Sequence, residues 1–522
     1  CAKPVDSPSF LSDGAMHTVA VNIRITASQL YNHLACPHRV AMDAAGDPAL
    51  RDEVSPFVQL LWERGVAHER ELIGQLGVQC LDLSALSGEA KEAATREAIA
   101  RREPLIYSGR LSVHQLLGEP DLLRAEAGGY VAIDIKSGAG REEREGDAGR
   151  EGDEGRLRPH YGVQLALYTD ILEQMGLAAG RYGYIWDRHG AEVRYDFAAP
   201  LGPKSGCLWE LYLKTRAAVR ATLAAAQASS PANCSLCKQC VWHSACFAQL
   251  KRDQDLTLLP ELGRATRDAL HEEFPTLRQL ARANVEDYID ADRTPFHRVG
   301  ANALRRFQRR AALLLQPDAK PFLTRAFDWP TTPVELFFDI ETDPLRELCY
   351  LHGFVIREGG SVATERFEGI FATDTTAAAE REAFAAAMSV FRRHAGALVV
   401  HYTKYERTEY RRLATKYPDV ATLPEIETLF SAPRALDLYF DVVKPGSEWP
   451  THDFSVKSLA KYCGFSWRDA DPSGASSIEW FDRWARTRDP RFRQRLLAYN
   501  EDDCRAMRVV LDCLKALPQR RD

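Results

Sequence analysis

Apolar positions along the chain switch between a helical and a two-residue period, and the switches mark out its elements. From Ser28, the residues Leu30, Tyr31 and Leu34 share one side of a helical pattern that Cys36-Pro37 closes. Residues 57–76 continue as a second amphipathic helix carrying Gly65, His68 and Glu69. Between residues 106 and 135 the pattern shortens to strands: LIYSGRLSV, PDLLRAE and YVAIDIKSG. Residues 138–158 are dominated by Gly and charge and predict a mobile surface loop. A helix over 161–175 follows, then a strand pair, RYGYIWD and AEVRYDF, with Gly190 in its turn, then a long Ala/Arg/Leu helix. Residues 256–316 read as interrupted helices, in which LLPELGRATRDAL and RVGANALRRFQRRA resemble each other as loop-Gly-helix units. The Pro-containing stretch 327–333 predicts a linker. Beyond it come strand VELFFDIET, strand YLHGFVI, a helix over 376–394, strand ALVVHY, a helix over 404–415 and a closing helix over 489–515.

The pattern predicts an α/β chain in four parts: a flexible tail (1–20), a first α/β domain (21–250), a helical segment (251–329) and a second α/β domain (330–522). With 522 residues, 45% hydrophobic and 27% charged, there is ample material for packed cores. That balance excludes global disorder, a collagen and a disulfide miniprotein. No apolar run approaches the roughly 18 residues of a membrane span, and no basic stretch leads into an apolar one near residue 1, so the expectation is a cytoplasmic protein without a membrane partner. The net charge of −6 provides no whole-molecule basic field. Carboxylates that bind metal, with local Arg and Lys clusters at phosphate, remain compatible with it. Among twelve cysteines, Cys234, Cys237, Cys240 and Cys246 crowd into thirteen positions, which in a reducing compartment reads as a metal site.

Pro120-Asp121 is followed thirteen residues later by Asp134-Ile135-Lys136 at a strand end, and alternation puts Asp134 and Lys136 on one face. Two carboxylates can hold Mg²⁺ or Mn²⁺, and a lysine beside them can orient the attacking water or help deprotonate it. Gln164 and Tyr168 share a helix face at i, i+4, and His68 offers a nitrogen ligand. The order His, PD, (D/E)xK, QxxxY resembles the RecB-like branch of the PD-(D/E)xK nuclease superfamily, which implies a restriction-endonuclease-like fold. Cys36 with Cys237, Cys240 and Cys246 resembles the iron–sulfur nucleases of the AddB type and the CRISPR-associated RecB-like exonucleases. The resemblance implies that these four thiolates hold a 4Fe–4S cluster tying the first helix to the end of the domain. Cys234 is surplus to that pattern, and Cys234, Cys237, Cys240 and Cys246 form an alternative tetrahedral Zn²⁺ set.

Gly263 and Gly300, each opening a helix, and Arg305, Arg306 and Arg309 resemble helix-hairpin-helix units, which implies nucleic-acid binding through backbone N–H groups at phosphate. In the last domain, Asp339 and Glu341 end a hydrophobic strand on one face, Glu406 follows the strand ALVVHY, and Tyr499 and Asp503 lie one turn apart on a helix. Four acids from three elements can surround two metals and drive in-line attack on a phosphodiester. The spacing resembles the tyrosine variant of the DEDD 3′–5′ exonucleases, and the stretch 334–515 resembles the YprB-type RNase H-like domain. That implies metal binding by Asp339, Glu341, Glu406 and Asp503, with Tyr499 orienting water. Glu406 departs from the pattern, being one methylene longer than the usual Asp, and Asp437 and Asp502 are spare carboxylates placed to compensate for it in the sequence pattern. Together these motifs resemble the RecB-like nuclease family in which both domains are joined. The resemblance implies a metal-dependent exonuclease acting on DNA, with RNA as the other polymer, on single strands or at ends, in repair or recombination. The other reading is a nucleic-acid-binding scaffold with one or both sites inactive. No G-x-x-x-x-G-K-[ST] motif is present, so unwinding would fall to a helicase partner.

Overall fold

The run Tyr130-Val-Ala-Ile-Asp-Ile135 is apolar at nearly every position, as a strand covered on both faces must be. It forms the strand Gly129–Ile135 inside a six-stranded mixed sheet. The order across the sheet is Glu192–Asp196, Tyr182–Trp186, Gly129–Ile135, Leu122–Glu126, Leu105–Tyr107, Leu81–Asp82. This is seen in a computed structural model that describes residues 24–75, 80–142, 155–202, 206–224 and 229–520. The tail 1–20 lies outside the described residues, as does the middle of the 138–158 stretch. The ends of that stretch are not loop: Arg141–Glu142 and Arg156–Leu157 pair as a short antiparallel ladder. One sheet face is covered by the helix Pro159–Gln174, whose Val163, Leu167 and Ile171 are fully buried.

The opening helix Ala27–Ala35 starts at a capping box in which Thr26 and Gln29 satisfy each other's backbone N–H. The next helix, Pro37–Ala45, is pinned to the cysteine-rich segment by a 2.7 Å bond from Trp242 Nε1 to Asp43.

The chain divides at Phe247 and Ala248 into two compact units, with Ser55–Phe57 grouped with the second. The second unit is built on a five-stranded sheet ordered Arg366–Phe371, Leu348–Glu358, Val334–Asp343, Leu398–His401, Ala435–Asp437. Alternation along the central strand serves two cores. Leu336, Phe338 and Ile340 face Phe384, Phe391, Tyr410 and Leu413, while Phe337 faces the side holding Leu496, Val510 and Leu511. Each fully buried phenyl or leucyl group there contributes about 1.5–3 kcal/mol.

The helical segment is part of this second unit rather than a separate linker. The strand Phe322–Leu323 pairs with Ser447–Glu448, and Phe327 and Trp329, within the stretch read as a linker, pack against the larger core. Arg310, 1% exposed, donates to the buried Glu448 at 2.8 Å, to Glu261 and to the Pro260 carbonyl. Among the described residues, no helix is long and apolar enough to cross a membrane.

Candidate functional site

In the first unit, the end of the central strand meets the turn before its antiparallel neighbour. Asp134 is 2% exposed, and its carboxylate lies 2.9 Å from Lys136 Nζ and 3.5 Å from the Asp121 backbone N. The Asp121 carboxylate accepts a 2.7 Å bond from the Ile135 backbone N–H. Burial pushes Asp121 up to about 7, with the negative charges of Asp134 and Glu69 adding and Lys136 opposing. Burial works against the Lys136 ammonium, but Asp134 and Asp121 outweigh it and raise its pKa, so the lysine stays charged. Tyr168 is buried on the adjoining helix and feels both carboxylates, and its pKa rises through burial. Gln164 Oε1 and His68 Nε2 are each buried without a hydrogen-bond partner. Glu69, beside His68, bonds the Tyr107 hydroxyl and reaches Asp121 electrostatically. The sequence pattern places Glu69 next to His68 but assigns it no role. His68, Asp121 and Asp134 do not form a three-ligand group with donor atoms mutually within 4.8 Å.

Such a group exists in the second unit, the one found among the described residues: Asp339, Glu341 and Asp503. The strand Val334–Asp343 supplies the first two on one face, and the helix Pro490–Ala516 supplies Asp503. Burial and mutual repulsion hold all three carboxyls above their ordinary range, with Glu341 pushed up to about 8. Asn500 Nδ2 donates to Asp339 at 2.8 Å, Ser477 Oγ to Glu341 at 2.7 Å, and Trp467 Nε1 to Asp503 at 2.7 Å. Lys457 Nζ sits 2.5 Å from the Tyr499 hydroxyl and 3.7 Å from Asp503. These four supporting residues lay beyond sequence reasoning, because each reaches the acids across the fold from a different segment. The room for Asn500 comes from Gly353, which pairs with Asp339 across the strands. A Cβ there would lie 1.6 Å from Asn500 Oδ1.

Glu406 lies outside this group. It is 3% exposed in the first turn of the helix Tyr405–Lys416 and sits 3.7 Å from His401 Nδ1. Its charge still contributes to the raised pKa of Asp339. The turn before it is strained: Thr403, a β-branched residue, takes φ +77° and donates its N–H to Asp437. The spare carboxylates are spoken for. Asp437 also accepts from the Tyr439 and Phe440 backbone N–H groups, and Asp502 pairs with Arg468 at 2.9 Å.

The cysteines come from separate segments of the first unit. Cys36 joins the first two helices, Cys234 and Cys240 flank a tight turn that contains Cys237, and Cys246 lies in the first turn of the next helix. Burial raises the Cys240 thiol, and the Cys36 thiol contributes to raising both Cys237 and Cys240. Cys234 and Cys237 lie 3.6 Å apart, sulfur to sulfur. Among the described residues, no three sulfurs lie mutually within 4.8 Å.

Each arginine of the helix-hairpin-helix-like stretch lies beside an acid. Arg305 forks onto Glu286 at 2.7 Å, Arg306 lies 3.8 Å from Glu261 and Arg309 lies 3.2 Å from the buried Glu448. Their acidic partners come from other segments: the Arg305 pair lies at the surface, and only Arg309 faces a buried acid. Gly263 and Gly300 cap their helices at ordinary negative φ with open space at the Cβ position.

These two sites coincide with what comparison with known proteins finds. A sequence model of the PD-(D/E)XK nuclease superfamily matches residues 28–247, and one of the RNase_H superfamily matches residues 336–515. The chain thus carries a PD-(D/E)xK nuclease superfamily domain and an RNase H superfamily domain, both of an α/β kind. No curated protein matches the chain.

Proposed function

We propose that the protein is a divalent-metal-dependent exonuclease with two hydrolytic centres, acting on DNA as single strands or at ends. The observation that carries this reading is the Asp339, Glu341 and Asp503 group, three buried carboxylates whose donor oxygens lie within 4.8 Å of one another. Buried acids so close need a cation, and hard oxygen ligands suit Mg²⁺ or Mn²⁺. When bound, such an ion acidifies water and offsets charge on the phosphodiester. Tyr499, held by Lys457, would orient the attacking water, and Glu406, on the helix that follows the strained Thr403 turn, would be the fourth acid of the set.

In the first unit, Asp121, Asp134 and the unpartnered His68 Nε2 are the metal ligands. Lys136, kept charged by its two carboxylates, orients the water and stabilises the charge that develops on phosphate. Gln164 and Tyr168 position the substrate strand. Cys36, Cys237, Cys240 and Cys246 hold a 4Fe–4S cluster. Four thiolates on one tetrahedral zinc would crowd to about 3.8 Å from each other, given Zn–S bonds of about 2.3 Å. Among the described residues no three sulfurs lie mutually within 4.8 Å, which supports the larger cluster, whereas the 3.6 Å Cys234–Cys237 spacing is the one that the alternative zinc set would use. The protein acts in the cytoplasm in repair or recombination, beside a helicase partner. The Glu406–His401 contact carries a second reading, in which this centre is silent and its domain holds nucleic acid for the partner.

The test is cleavage of end-labelled single-stranded DNA and RNA with Mn²⁺, comparing wild type, Lys136→Ala and Asp339→Ala in preparations assayed for about four irons per chain. Two centres require that each substitution remove a distinct part of the products. Loss with Lys136→Ala alone supports the second reading, and no cleavage by iron-replete wild type overturns both centres.

A further inference from the structure

Phe440 is a large apolar side chain that the fold leaves 37% exposed, and its surroundings are cationic. Lys404 Nζ lies 4.8 Å from the centre of its ring and Lys444 Nζ lies 5.4 Å away. Lys444 also reaches Glu261, at 3.5 Å, whereas Lys404 enters no ion pair among the described residues. The ring is held in place from below. Phe440 lies in a wide π-helical turn, Leu438–Val443, an arrangement frequent at functional positions. Asp437 accepts the Tyr439 and Phe440 backbone N–H groups at 3.0 Å each. The same carboxylate accepts the N–H of Thr403, the strained residue that opens the turn into Lys404 and Glu406. One buried carboxylate therefore keys the exposed ring and its lysine to the turn that leads into Glu406, whose charge reaches Asp339 of the second centre.

An exposed phenyl beside flexible ammonium groups matches an unpaired nucleotide. Every base has a face to lay on the ring, and every nucleotide brings a phosphate within reach of a lysine. Without substrate, the ammonium groups rest over the ring, a weak attraction at an exposed site. On binding, a base takes the ring face and the long lysine arms swing to phosphate. A duplex keeps its bases stacked inside and offers none to the ring. We propose that Phe440, with Lys404 and Lys444, forms a stacking platform for single-stranded nucleic acid that feeds the Asp339, Glu341 and Asp503 centre. The platform deepens the reading of that centre as a nuclease and rests on it.

Two experiments test the platform on the full chain. In EDTA, where binding is read without cleavage, a single-stranded oligonucleotide carrying 5-iodouracil should photocrosslink to the peptide containing Phe440. Phe440→Ala should abolish that crosslink and weaken oligothymidylate binding about tenfold by fluorescence anisotropy, while Phe440→Trp retains both. Lys404→Ala should lower the salt slope of binding by about one. Crosslinks only at other peptides, or unchanged affinity in Phe440→Ala, overturn the platform, as does a duplex bound as tightly and as dependently on Phe440. Hydrolysis of thymidine 5′-p-nitrophenyl phosphate with Mn²⁺ separates this from the centre itself, because it reads phosphodiester chemistry without a strand to hold. That activity should fall in Asp339→Ala and persist in Phe440→Ala. Phe440-dependent binding without Asp339-dependent hydrolysis would remove the nuclease reading and leave the platform. Hydrolysis without Phe440-dependent binding would do the reverse.

Discussion

Glu341 shows how much a single residue costs before its cation arrives. Its carboxyl is raised from 4.5 to about 8 by burial and by Asp503, with Ser477, Lys457 and Asn500 opposing. Between those values the native state keeps a proton that the unfolded chain has released. The native state thus binds more protons, and the stability of the metal-free protein falls as pH rises through that window. One such group contributes at most about 1.4 kcal/mol per pH unit. A divalent ion binds the deprotonated acids, so the sign reverses when metal is present. Thermal denaturation in EDTA should give a lower Tm at pH 8 than at pH 5.5, and Mn²⁺ should raise Tm more at pH 8. Glu341→Gln should flatten the EDTA slope and shrink the Mn²⁺ gain; a variant that tracks wild type in both would remove Glu341 from the metal group. At this scale the sequence was most readable for acids spaced i, i+2 on a strand or i, i+4 on a helix, because periodicity alone puts such pairs on one face. It was least readable for Lys457, Ser477 and Asn500, whose roles depend on which remote carboxylate they meet.

Elements meet where one of them gives way. The strand Leu348–Glu358 lies against the helix Pro490–Ala516, and Gly353 is where the helix side chain Asn500 enters. A methyl group at 353 would collide with both Asn500 Oδ1 and Cγ, at 1.6 and 2.7 Å, so the amide must leave Asp339. Gly353→Ala should cost about 1–3 kcal/mol of stability, the usual range for overpacking a filled site. It should also reduce cleavage by the second centre. Adding Asn500→Ala should restore most of the Tm but not the activity, since the clash is relieved while the bond to Asp339 stays lost. Recovery of both would make Asn500 a packing residue only. Several strands and long helices of this unit were legible because their periods are strong: VELFFDIET and the helix over 489–515 appear within a few residues of where the pattern puts them, whereas the 14-residue helix Gly474–Thr487 was not read. The edge strand Arg366–Phe371 and the short helices Leu423–Leu429 and Val456–Tyr462 were not, being too short or too polar to show a period before packing selects them.

At the scale of the molecule, the boundary read at residues 327–333 misleads because proline content reports local stiffness, not where packing ends. Two residues upstream of that stretch, Phe322 and Leu323, complete a ladder with Ser447 and Glu448 from deep inside the RNase H superfamily domain. Arg310 buries its guanidinium against the same Glu448, and Arg309 shares it. A buried carboxylate with its cations removed is expensive, of the order of 3–5 kcal/mol, because nothing replaces the lost partner. The helical segment and the domain after it therefore fold as one cooperative body. A fragment covering 248–522 should be soluble and unfold in a single transition, while 330–522 should aggregate, its Glu448 stranded and its core edge uncovered. Glu448→Gln in the longer fragment should lower Tm without splitting the transition, and Arg310→Met should lower it more, since it leaves the acid charged and buried. Two separate transitions, or a well-folded 330–522, would return the helical segment to the status of a linker. It would also free Arg309 for the phosphate contact that its spacing suggests, because Glu448 belongs to the later domain, whereas Glu286 and Glu261 pair with Arg305 and Arg306 from within the helical segment itself.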